Sequence, residues 1–216
     1  MRKAAERGNV EHLQELLEEG AEIESTNSAG ERSLHLAAGT SASTAAKALI
    51  EAGANVEATD SNGGRPLHMA ANHDATAVMK ILVKAGADIN ATEKLGCSAL
   101  HLAAQHGRMN AVLFLLEAGA DLQLHDSDGK TPLQLAIDKA DNGIVKALRE
   151  EEDRRSTMHS AQQSREKQEE NFFDGASSHG LMSLTQPSTG GQAPAVAPGV
   201  EDVSKELQHV APHSQV

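Results

Sequence analysis

Apolar residues recur in this chain on two length scales. Within short stretches they fall at helical spacing, as Leu13, Leu16 and Leu17 do, and each such stretch returns after 33 positions. The rows Leu16, Leu49, Leu82, Leu115, Leu148 and Leu17, Ile50, Val83, Leu116 predict a series of helices that turn one apolar stripe inward. A shorter helix is predicted before each of them, over a Leu-His-x-Ala-Ala core: Leu34-His35, Leu67-His68 and Leu100-His101, followed by Ala37-Ala38, Ala70-Ala71 and Ala103-Ala104. The paired alanines let neighbouring helices approach closely, so large residues there are expected to clash. Polar stretches containing Gly30, Gly63, Gly96 and Gly129 separate the units and suit turns that need positive φ, while Gly53, Gly86 and Gly119 fit the ends of the longer helices. Pro66 and Pro132 fit a first helical turn, where the missing N–H has no partner to lose. Several landmarks holding one spacing without an insertion define an internal repeat. A period of this length predicts a mainly α solenoid of stacked helix-turn-helix units with hairpin-like loops.

The same pattern sets the boundaries. Residues 1–25 read as an N-terminal half unit whose outer face is made polar by Arg2, Lys3, Glu6, Glu11, Glu15, Glu18 and Glu19. Residues 26–58, 59–91 and 92–124 are full units, and 125–152 is a closing one. There Ile144, Val145 and Leu148 point inward, but Arg149 breaks the apolar row and Glu152 stands where glycine is expected, as in a cap facing water. The unit running through Gly39, Thr40, Ser41 and Ser43 is expected to be the loosest, and Phe114 is expected in the core with Ile81. Residues 153–173 form a polar extension. The pairs Glu150–Arg154 and Glu151–Arg155 support a helix, yet only Met158 and Ala161 offer apolar surface before Glu170, so fraying is expected. Residues 174–216, rich in Gly, Ser, Pro, Gln and Ala, are expected to be a disordered tail.

Composition narrows the function. The formal net charge is -12, the chain has no Trp or Tyr and only three Phe, and both the repeats and the tail are acidic. Repulsion of phosphate and the lack of stacking aromatics argue against nucleic acid as a partner. No apolar run reaches membrane-spanning length, and the N-terminus lacks the apolar stretch of a secretion signal, so a soluble, intracellular protein of cytoplasm or nucleus is expected, without membrane insertion. The single cysteine, Cys97, precludes an internal disulfide and suits a reducing compartment. Eleven histidines invite a metal or catalytic reading, but His35, His68 and His101 lie one repeat apart, too far to share an ion. No metal-protease, paired-cysteine, phosphate-loop or serine-nucleophile motif is present. No catalytic residue, metal or cofactor is therefore expected.

The runs Arg65-Pro66-Leu67-His68, Ser98-Ala99-Leu100-His101-Leu102-Ala103-Ala104, Thr131-Pro132-Leu133 and Gly86-Ala87-Asp88-Ile89-Asn90 resemble ankyrin repeats, over residues 4–152. The resemblance implies that His35, His68 and His101 are structural clamps on the backbone of adjacent turns. The chain departs from the family pattern at Arg32 and Arg65 in place of Thr, at Gln134 in place of His, and at Ser41, Asp74 and Ala140, where Gly8 and Gly107 keep the inter-helix glycine. It further implies a non-enzymatic protein–protein interaction module, a scaffold or adaptor, expected to be monomeric, that holds another protein or peptide on a concave face. The partner-binding candidates are Asn62, Asn72, His73, Leu95, Cys97, Gln105, His106 and Asp128. Leu95 is out of character as an apolar residue on an exposed tip; it fits an interface anchor or a singly exposed leucine equally. The alternative is a regulatory or substrate-recognition appendage of an enzyme assembly, autoinhibited by its own tail.

Shorter patterns add candidates. Leu82 followed by Asp88-Ile89-Asn90 resembles the site that asparaginyl hydroxylases modify, beside the plainer reading of Asn90 as a loop residue bonding its own backbone. Arg154-Arg155-Ser156-Thr157 resembles a basophilic kinase site at Thr157. In the tail, Phe172-Phe173 among acids reads as a docking motif or a chance pair, and Ser214-Gln215-Val216 resembles a carboxyl terminus captured by PDZ domains.

Overall fold

A computed structural model describes residues 1–178, with side chains as far as Lys167. The helices are α1 (Arg2–Glu6), α2 (Val10–Glu18), α3 (Ser33–Gly39), α4 (Ser43–Glu51), α5 (Pro66–Asn72), α6 (Thr76–Lys84), α7 (Ala99–Gln105), α8 (Met109–Glu117), α9 (Pro132–Asp138) and α10 (Asn142–Ser178). Their lengths repeat as the sequence does. Helices α3, α5, α7 and α9 each have seven residues, and α2, α4, α6 and α8 each have nine. Glycine in the second unit does not shorten its helices.

Two layers result. Helices α1, α3, α5, α7 and α9 pack in succession as an inner row, and α2, α4, α6 and α8 as an outer one. The inner row is close-packed because Ala37, Ala38, Ala70, Ala71, Ala103 and Ala104 are wholly buried and leave only a methyl between backbones. Leu13, Leu49, Leu82, Leu115 and Leu148 seal the space between the layers. Phe114, expected in the core with Ile81, is half-buried and packs against the core; Ile81 is half-buried. Among the described residues the one strand-like pairing is the bridge between Thr92 and Ser98 at the base of a turn.

The turn between the helices of each unit demands positive φ. Gly8 and Gly107 supply it at 69° and 68°, and Ser41, Asp74 and Ala140 adopt 58°, 58° and 54° at the same place. Asp74 gains partners in the next unit: its carboxylate accepts from the Ala111 N–H at 2.7 Å and from Asn110 at 2.8 Å.

After Glu152 the last helix continues into the polar extension, as its acid–base pairs allow: α10 runs from Asn142 to Ser178. The first turn beyond the unit is tied back to it: the Glu151 carboxylate, 8 % exposed, takes hydrogen bonds from Arg154 and Arg155. The Arg155 guanidinium in turn donates to the carbonyls of Leu116 in the last turn of α8, at 3.2 Å, and of Ala120 just past its end, at 2.7 Å. Burial pushes the Glu151 carboxyl up, but the bonds from Arg155 and Arg154 outweigh this and hold it below its ordinary value. Residues Met1–Gln168 form one compact unit, and the remainder of α10 belongs to a second. The side chains of Phe172 and Phe173, and the tail residues from 179 onward including Ser214 and Val216, lie outside the described residues.

Candidate functional site

The turns that join the units form a continuous edge. In each, one side-chain oxygen closes the loop by accepting from backbone N–H groups: Asn27 from Ala29 and Glu31, Asp60 from Asn62 and Gly64, Glu93 from Cys97, Asp126 from Asp128 and Lys130. Successive turns then zip together. The carbonyls of Ala29, Asn62 and Leu95 accept from the N–H groups of Ser61, Lys94 and Ser127, at 2.9, 3.0 and 2.8 Å. These contacts leave no room for a Cβ on the turn glycines: one on Gly30 would stand 2.7 Å from the Ser61 nitrogen, and one on Gly96 3.1 Å from that of Ser127. On Gly129, which has no following turn, it would meet nothing.

A second ladder runs beneath the turns. His35, His68 and His101 each accept at Nδ1 from the backbone N–H that opens their own helix, at Arg32, Arg65 and Ser98, over 3.1 to 3.2 Å. At Nε2 each meets a carbonyl of the next unit: Gly64 at 3.1 Å, Cys97 at 3.2 Å and Lys130 at 3.1 Å. An N–H can only donate and a carbonyl can only accept, so the partners dictate the neutral tautomer with its proton on Nε2. Burial lowers the pKa of all three rings below the usual 6.5, against the opposing pull of the carbonyls. In the last unit Gln134 does half of this work: its Oε1 accepts from the Thr131 N–H at 2.9 Å.

Turns and inner helices enclose a groove of about 680 Å³ in the middle of the array. It gathers six of the eight candidate partner-binding residues: Asn62, Asn72, Leu95, Cys97, Gln105 and Asp128. His73 and His106 are not part of its lining. They are exposed residues capping α5 and α7, and His106 Nδ1 lies 2.9 Å from the Leu102 carbonyl. The Leu95 side chain is 63 % exposed, although its carbonyl accepts from the Ser127 N–H and its neighbour Lys94 donates to the Asn62 carbonyl on the other side. The Cys97 thiol is free and half-buried, its pKa pushed up to about 11 by burial and by the carboxylates of Glu93, Asp126 and Asp128.

The groove floor escaped the sequence reading. Met69, Leu102 and Leu135 line it, each at the unspecified position of the Leu-His-x-Ala-Ala core. Leu36 holds that register in the unit before, and the unbroken apolar row was the available signal.

The two modification candidates sit elsewhere. Asn90 is exposed, but it does not bond its own backbone through its amide oxygen: Oδ1 accepts from the Asp121 N–H of the next unit at 2.8 Å. Glu24 and Glu57 make the same bridge to Asn55 and Asp88. Thr157 is exposed on α10, and its hydroxyl donates to the Arg154 carbonyl at 2.8 Å. Among the described residues no cluster of His, Cys, Asp or Glu has the geometry to hold a metal, and no helix is long and apolar enough to cross a membrane.

Stacked two-helix units tied by a turn zipper and a histidine ladder define a repeat protein. A family model described as ankyrin repeats (3 copies) matches residues 1–93 and 86–156. The chain belongs to the ankyrin-repeat family, whose members are generally protein–protein interaction modules and typically non-enzymatic. Compared with curated proteins, the chain finds no significant match.

Proposed function

We propose that this protein is a non-enzymatic, intracellular interaction module that holds a segment of a partner polypeptide across the turns of Asn62, Leu95 and Asp128. The observation that supports the reading is Leu95. It stands at a tip whose backbone is fixed by its neighbours, above an apolar floor, with most of its side chain in water. A surface ordered before the partner arrives spends little entropy on binding, and an exposed apolar side chain at the centre of a groove is where interface energy concentrates.

The reading is tested by recovering partners from native extract with the full chain, with Leu95→Asn and with Leu113→Asn. Leu113 is also exposed, at 45 %, but lies on outer helix α8. Asparagine already holds the Leu95 register at Asn62, so folding is spared. The expected result is a set of partners lost with Leu95→Asn and retained with Leu113→Asn. Equal recovery by all three would place binding away from the groove.

A further inference from the structure

We propose that the groove selects a partner segment carrying lysine or arginine beside an apolar residue; this rests on the groove being the binding face. The apolar half of the argument is the floor of Met69, Leu102 and Leu135 with Leu95 above it. The charged half appears once internal partners are subtracted. Of the two lysines of the groove, Lys130 is paired with Asp138 at 2.6 Å; Lys94 donates to the Ser61 carbonyl at 2.6 Å and keeps its charge, but faces the carboxylates of Asp60, Glu93, Asp126 and Asp128. The acids are not used up. Asp60, Glu93 and Asp126 each give one oxygen to their own turn and keep the other, and Asp128 accepts no side-chain hydrogen bond among the described residues. Cys97 sits among them; burial does most to raise its pKa, and the carboxylates of Glu93, Asp126 and Asp128 push it further in the same direction.

Charge also disfavours the nearest competitors. The aromatic pair of the chain's own extension, Phe172-Phe173, is flanked by Glu169, Glu170 and Asp174, of the same sign as the groove. A second copy carries a formal net charge of -12. A cationic segment of another protein is the occupant that complements both the rim and the floor.

The test is a titration of the full chain into fluorescent peptide pools that share a central leucine and differ in their flanks: lysine and arginine, serine, or aspartate and glutamate. The groove is neutralised by Asp60→Asn/Asp126→Asn/Asp128→Asn. Asparagine closes the first turn at Asn27 with the same two backbone bonds, so these changes keep the loops intact. The basic pool is expected to bind about tenfold more tightly than the serine pool, and to lose that advantage at high salt and in the triple variant. Leu95→Asn is expected to weaken it by about tenfold as well. If the serine or acidic pool binds as tightly as the basic one and Leu95→Asn weakens it, the charge preference is overturned while the groove reading stands. If no pool binds, or if Leu95→Asn leaves binding unchanged, both fall.

Discussion

At the scale of single residues, two departures from the family pattern, Arg32 and Arg65, each stand beside a glutamate. Arg32 lies 2.8 Å from Glu24 and Arg65 lies 3.2 Å from Glu57, and the second oxygen of each glutamate bridges to the next unit. Where Ser98 replaces the arginine, no cation needs a second oxygen, and Asn90 makes the bridge alone. Each exchange is visible in the sequence, but nothing in the linear order shows that residues eight apart face each other across a turn. Ser33 is an exchange without a compensating partner. It stands at the first helical position, where Pro66 and Pro132 stand in other units, and its hydroxyl is buried with no hydrogen bond. Arg32 before it is already extended, with φ -97° and ψ 171°, as a residue preceding proline must be. Ser33→Pro should therefore raise stability by about 1 kcal/mol, measured as an upward shift of the denaturant midpoint, through a less flexible unfolded chain and removal of an unpaired hydroxyl.

At the scale of helices, most of the fold was legible in advance. The 33-residue spacing, the alanine pairs and the apolar rows are local consequences of packing one unit on the next, so they leave a periodic trace. What breaks the period was harder to see. Glu151 and Arg155 read as an ordinary surface pair of an exposed helix; only the fold brings Arg155 under the carbonyls of Ala120 and Leu116, and so carries α10 beyond its repeat. The end of the inner row shows the same logic. Ile137 occupies the register of Ala38, Ala71 and Ala104, but no further inner helix follows α9 among the described residues, and Ile137 is 46 % exposed. Isoleucine is thus tolerated at 137 for the reason it is forbidden at 104. Ala104→Ile should cost about 3 kcal/mol by overpacking α7 against α9, whereas Ile137→Ala should change stability by less than about 1 kcal/mol; thermal or denaturant unfolding of both variants separates the two positions.

At the scale of the molecule, units that touch only their neighbours share stability along the array, and the histidine ladder makes that coupling dependent on pH. His35, His68 and His101 have lowered pKa values when folded, so the unfolded chain takes up their protons first as pH falls. Their contribution is complete above the unfolded value of 6.5 and declines below it until the folded values are reached. Each ring adds a slope of up to about 1.4 kcal/mol per pH unit within that window. Denaturant midpoints measured between about pH 7 and about pH 5 should fall with acidity, and His101→Gln should flatten the decline, since Gln134 shows that an amide can hold the helix start without titrating.

The groove follows from the same stacking, because zipped turns above an apolar helical row leave a wall shaped before any partner arrives. Its tip residues were legible because the repeat marks which positions packing does not use; its floor was not, because Met69, Leu102 and Leu135 hold the one position that the Leu-His-x-Ala-Ala pattern leaves unspecified. The most direct measurement is photo-crosslinking in native extract with a benzophenone amino acid placed at Leu95 or at Leu113, followed by mass spectrometry of the adducts. The account predicts adducts with a partner segment from position 95 and none of that segment from position 113. Capture of the same segment from 113 alone, or no adduct from 95 while 113 captures partners, would contradict it.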